Sequence, residues 1–347
     1  MNGRRLALVG TAVVLMLPWL EAPAAAHNWG CWRQPNRTVY SRNTAANSSQ
    51  AAAALNEWSV DTILNIVNVS YHTEISVYDG NYGNTGWGGL ASIESASGCN
   101  ILHGHATLNT YYSYTSNGKR GVFCQEVGHL FGLDHSNDGG CMGGGYWYDI
   151  NIYYTVVSHN INDIATKYNG VPASTAPGDD EHAEDDASRV HAVWYYNPRT
   201  LAETFDLATA VVVARVVGVN DAADIVVPVE GLENGEHRVP NQRIALQVTR
   251  TVKGEVDPEI ELFHTGNREF VLGGDPPYEV GQRYLLFLMS REDGTYLVVS
   301  PEGRYRVKAG GRLEAVSKKD FSVTLSGARV DSVIGDLSAV RQHHLGN

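Results

Sequence analysis

Apolar residues recur at two different periods along this chain, and the change of period divides it. In the first half, Ala51, Ala54, Leu55 and Trp58 fall at helical spacing and predict a helix over 50–58, with Asn47 and Ser48 as candidate caps. Ile63, Ile66, Val67 and Val69 mark a strand region, followed by Ile75 and Val77. Residues 79–89, rich in Gly, Asn and Asp, read as loop, and 101–112 as strand. Residues 118–131 predict a second helix and 137–145 a glycine-rich turn. Asn160 and Asp163 have capping-box-like spacing before a last helix in this half.

From about residue 195 the period becomes two. Val211, Val213 and Val217 predict one strand, and Ile244, Leu246 and Val248 the next. Ile260 and Leu262, Leu286 and Leu288, and Leu297 and Val299 continue the series, punctuated by Gly, Pro and Asp. Short strands with turn signals predict a small β-barrel or sandwich. Between the halves, residues 171–190 hold Pro172, Pro177 and Gly178 and then Asp179, Asp180, Glu181, Glu184, Asp185 and Asp186. Like charges repel and extend a chain without a core, so this stretch reads as an acidic linker. It lacks the spacing of a calcium loop.

The first 26 residues read as a secretory signal peptide. Arg4 and Arg5 precede an apolar run from Leu6 to Leu17, and Ala24, Ala25 and Ala26 offer a small-residue cleavage site. That run is too short to span a bilayer. The run from Ala208 to Val219 is interrupted by Arg215 and reads as a buried strand. The expectation is an exported, secreted, monomeric chain: 27–170 as one domain, 171–190 as linker, 191–347 as a β domain. A chain of 347 residues can hold two cores. A formal net charge of -12 argues against nucleic acid and anionic membrane surfaces as partners.

The candidate chemistry lies at 125–135, Gln-Glu-Val-Gly-His-Leu-Phe-Gly-Leu-Asp-His. Gln125 and His129 are four apart on one helix face, so both can point at one metal ion. Glu126 stands beside them, where a carboxylate serves as a base. Gly132 permits a sharp exit from the helix that brings His135 round. This is the pattern H-E-x-x-H-x-x-G-x-x-H with glutamine in its first position. Met142 follows at the distance of a Met-turn.

With these residues the chain resembles the metzincin zinc proteases, and most closely their matrixin branch, over roughly 30–170. Residues 51–58 resemble the family's first helix, 86–91 and 106–112 its loop and strand before the active-site helix, and 160–168 its closing helix. The resemblance implies an α+β catalytic domain, with a mixed sheet, an active-site helix and a C-terminal helix. It implies zinc held by His129 and His135, with Gln125 in the weak position, Glu126 as general base, and Met142 beneath the metal. The activity implied is peptide-bond hydrolysis on a peptide or protein substrate. The alternative from another class is a catalytically inactive binding protein on the same scaffold, since an amide oxygen is a poorer zinc donor than imidazole.

Four cysteines allow three pairings. In a matrixin-like domain, Cys124–Cys141 would tie the active-site helix to the Met-turn, leaving Cys31–Cys99. Cys31 as a thiolate capping the metal, as the matrixin propeptide cysteine does, is the sharper alternative. His103 and His105 alternate on a predicted strand and face one side. They resemble the placement of a structural-metal histidine in matrixins; a surface strand with two histidines is the plainer reading. Residues 251–254 and 281–288 resemble OB-like barrels related to tissue inhibitors of metalloproteinases. Those inhibitors act through an N-terminal cysteine, which the β domain lacks.

Overall fold

The computed structural model describes residues 28–70, 73–143, 153–173, 190–317 apart from 231 and 233, and 320–345. The signal-peptide reading and most of the acidic stretch (174–189) lie outside the described residues.

The chain is a mixed α+β protein built on two sheets. The first half runs β1 (Thr38–Asn43), α1 (Ser48–Asp61), β2 (Asn65–Asn68), β3 (Ile75–Gly80), β4 (Trp87–Ser97), β5 (Asn100–Asn109), α2 (Ser116–Leu130) and α3 (Ser158–Lys167). Helix α3 begins before the expected cap. Asn160 sits in its first turn and accepts a hydrogen bond from the Val157 N–H at 3.2 Å. The second half runs β6 (Val190–Trp194), α4 (Leu201–Leu207), β7 (Ala210–Pro228), β8 (Glu236–Lys253), β9 (Glu259–Thr265), β10 (Arg283–Ser290), β11 (Tyr296–Val298), β12 (Arg304–Val307), β13 (Leu313–Ala315), α5 (Asp320–Val323) and α6 (Val330–Leu345).

The first sheet has the order β2-β1-β3-β5-β4-β6. Its inner strands β3, β4 and β5 carry near-continuous buried runs because helices cover one face and the second half covers the other. Helix α2 lies against this sheet beside α1, and the Trp58 indole donates to the Cys124 carbonyl at 2.9 Å. The two disulfides are Cys31–Cys99 and Cys124–Cys141. The first pins the amino-terminal segment to the start of β5. The second ties α2 to the turn that carries Met142. Cys31 is therefore not a free thiol, and the capped-metal alternative falls.

The boundary between the halves differs from the sequence expectation. Val190–Trp194, read as the end of a linker and the start of a separate β domain, pairs antiparallel with β4 and forms the edge of the first sheet. The reason is composition: Val-His-Ala-Val-Trp is an apolar, β-branched run that finds a free sheet edge.

The second sheet contains the expected strands. β7, β8, β9, β11 and β10 close into a ring, since β11 pairs with both β9 and β10. The domain is not all-β as expected. Helix α4 brings Phe205, and α6 brings Val330, Val333, Ile334 and Leu337, onto the outer face of the ring beside Leu285, Phe287 and Tyr305.

Candidate metal centre

Helix α2 starts at Thr115, whose hydroxyl accepts from the Gly118 N–H at 3.0 Å. Every residue from Gly121 to Leu130 is buried, so the helix shows no polar face; its polar side chains point into the protein and need partners there. It ends at Gly132, whose φ of +82° suits glycine and whose missing side chain lets the backbone pass against the Trp32 carbonyl. The Trp29 N–H donates to the Gly132 carbonyl at 2.9 Å and locks this exit.

The exit returns the chain so that His135 faces His129, with Nε2 atoms 3.2 Å apart. The Nδ1 of His129 lies 2.8 Å from the Leu133 carbonyl, which can only accept; that nitrogen carries the proton and Nε2 is a bare lone pair. Burial, together with His191 and His135, holds His129 well below the usual histidine range, so the ring is neutral. The third imidazole is His191 of β6. Its ring stacks on His129 with centroids 3.8 Å apart. Its Nε2 lies 3.1 Å from Asp134 Oδ1, and its Nδ1 is buried without a hydrogen-bond partner. One nitrogen from each of His129, His135 and His191 falls within 4.8 Å of the others, a set that could hold a metal ion.

The donors fit a metal such as zinc. Two imidazole nitrogens on one tetrahedral zinc, each bond about 2.0–2.1 Å, stand roughly 3.3 Å apart, close to the His129–His135 spacing. An orphaned buried nitrogen on His191 is a further vacant donor.

Gln125 lies on the predicted face, fully buried, and its amide nitrogen donates to the Gly143 carbonyl at 3.2 Å. It joins the helix to the turn carrying Met142. The Met142 side chain is buried against Gly128 on α2. Glu126 is directed at the sheet. A Cβ placed on Gly89 of β4 would lie 2.5 Å from Glu126 Oε1, so the carboxylate rests on the β4 backbone. Burial raises its pKa well above the carboxylate range. The N–H groups of Val193 and Ala91 offset part of that, although neither carboxylate oxygen is in a hydrogen bond of good geometry.

A second group lies on the other side of the sheet. Glu94 Oε2 is 2.9 Å from His105 Nε2 and 3.4 Å from His103 Nε2, and these three could also hold a metal. The two histidines do share one side of β5, but His105 is buried rather than a surface residue.

Sequence reasoning placed Glu126, His129 and His135 and missed His191 and Asp134. A single histidine in an apolar strand gives no ligand signal until β6 is known to pair with β4. No family model matches the chain, and no curated protein is similar to it.

Proposed function

We propose that the chain is a metzincin-type, zinc-dependent peptide hydrolase whose metal is held by His129 and His135, joined by His191 while β6 lies on the sheet. The observation that carries this is the three-imidazole cluster one helical turn from a buried carboxylate with both oxygens unpaired. A zinc ion in that cluster supplies a Lewis acid that polarises a peptide carbonyl and makes water acidic. Burial favours the protonated Glu126 carboxyl; a bound cation beside it would favour the ionised form, which would take the proton of the attacking water and return it to the leaving nitrogen. Leu133 and Asp134 fix the tautomers of His129 and His191, and Gln125 braces the helix against the Met-bearing turn. The ring order β7-β8-β9-β11-β10, with β9 and β11 parallel, supports an OB-like barrel for the C-terminal unit. Two disulfides suit an extracellular site of action.

The second reading, a metal-binding protein without catalysis, draws on one feature: β6 lies across Glu126. The two are separated by metal content and peptide hydrolysis of the full chain with and without Glu126→Gln. The hydrolase reading expects zinc retained in both and hydrolysis in the wild type alone. A chain that takes up no zinc, or a variant as active as the wild type, refutes it.

A further inference from the structure

The position of β6 has a chemical meaning that its role as a sheet edge does not exhaust. Remove β6, and β4 becomes the edge of the first sheet, with a row of unpaired N–H and C=O groups alongside the metal cluster. Such an edge is a template for an extended peptide. On β6 the side chains alternate: His191 and Val193 face α2, whereas Val190 and Ala192 face the second half of the chain. The pairing Gly89↔Val193, Leu90↔Ala192 and Ala91↔His191 lays β6 backbone alongside the part of β4 on which Glu126 rests. The Val193 N–H points toward the Glu126 carboxylate, and His191 reaches the His129–His135 pair one residue beyond Ala192. A peptide that is to meet Glu126 and the imidazoles at once must run where β6 runs.

Resting on the hydrolase reading, we propose that β6 is an internal occupant of the peptide-binding edge of β4, so that the wild type turns over peptides slowly, through the small fraction of molecules in which Val190–Trp194 has left that edge. β6 is held by its pairing with β4 along Val190–Trp194 and by the burial of Val190, His191, Ala192 and Val193. On its other side, among the described residues, Val190 bridges Leu272, with the Gly273 N–H donating to the Val190 carbonyl at 2.9 Å. Val190, Ala192 and Val193 are small or β-branched, the kind of side chain an extended substrate would present. Release withdraws His191 from the cluster together with the strand. The glutamine at position 125 then follows: with β6 on the sheet the third imidazole comes from that strand, not from the helix.

The test uses the full chain with zinc in excess. Val193→Asp sets a second carboxylate beside Glu126 and expels the strand, and Ala192→Pro breaks β6 by another route should the first variant misfold. Amide exchange at Gly89–Ser92 is the metal-independent readout. Protection there should fall by at least about tenfold in either variant, while β5 keeps its own, and a blocked pentapeptide of alanine and valine should restore it. Hydrolysis of an unstructured peptide pool should rise at least about tenfold over the wild type. If β4 is exposed and the pentapeptide restores no protection even at millimolar concentration, or if the wild type cleaves as fast as the released variants, β6 is a permanent wall and the proposal falls. Restored protection without hydrolysis or bound zinc leaves the peptide edge standing and fails the hydrolase reading instead.

Discussion

His191 gives one ring nitrogen to Asp134 and keeps the other free. Nε2 lies 3.1 Å from Asp134 Oδ1, while Nδ1 is buried without a partner. Burial works against a charge on Asp134, but the hydrogen bond from His191 offsets it and helps hold the carboxyl below its ordinary range. An ionised carboxylate only accepts, so the His191 proton sits on Nε2 and the lone pair on Nδ1. A carboxylate that fixes the tautomer of a ligand histidine is the usual outer partner of a metal site.

The first prediction follows from that pair. Asp134→Ala should weaken zinc binding by roughly 10–100-fold, the worth of such an outer partner. His191→Ala should weaken it by more, because a donor is lost and not only its orientation. Zinc titration against a competing chelator reads both. Equal affinity in His191→Ala and wild type would remove β6 from the metal site.

Gln125→His tests the other side of the cluster. The imidazole would stand one turn before His129 on the same face of α2, in place of an amide now bonded to Gly143. Imidazole is the better zinc donor, so affinity should rise by at least about tenfold. The same titration checks it. Unchanged affinity would mean that position 125 serves the Met-bearing turn alone.

These two positions show how far the sequence could be read. Glu126, His129, Gly132 and His135 sit within eleven residues, and a helix followed by a glycine turn is enough to bring them together; local spacing carries the geometry. His191 reaches them only through strand pairing across the sheet, and periodicity within a segment says nothing about which edge a strand will join. Composition misled in the same place, because the acidic run before Val190 looked like the end of a domain. The helices of the second half are a different failure. Val330, Val333, Ile334 and Leu337 stand at i, i+3, i+4 and i+7, a legible helical stripe passed over in a region of period-two strands.

Gly132 is the hinge on which the local reading depends. At φ +82° an L-side chain costs about 1–2 kcal/mol, and here a Cβ would also press on the Trp32 carbonyl. Gly132→Ala should lower the unfolding temperature of the first half and move His135 away from His129. Thermal unfolding should show the loss, and zinc affinity should fall with it. A variant with normal stability and normal affinity would show that the exit from α2 can take another path.

The last prediction concerns a buried charge in the second half of the chain. Arg304 is fully buried, 2.8 Å from Asp275 Oδ1, and its guanidinium lies over the Tyr278 ring at 3.5 Å. Burial pushes the Asp275 carboxyl up, but His264 and Arg304 outweigh it and hold the carboxyl below its ordinary range. Asp275→Asn leaves a buried guanidinium without this counter-charge and should destabilise the second half by about 3–5 kcal/mol at neutral pH. The sign with pH is fixed by the depressed value. The carboxylate stabilises the fold above its unfolded pKa, about 3.9, and that contribution is lost as pH falls through it toward the folded pKa. The gap between wild type and variant should therefore be full at pH 7 and shrink below about pH 4. Amide exchange of β10 and β12 at both pH values measures it. A gap that stays constant would mean that Asp275 is not the counter-charge holding Arg304 in place.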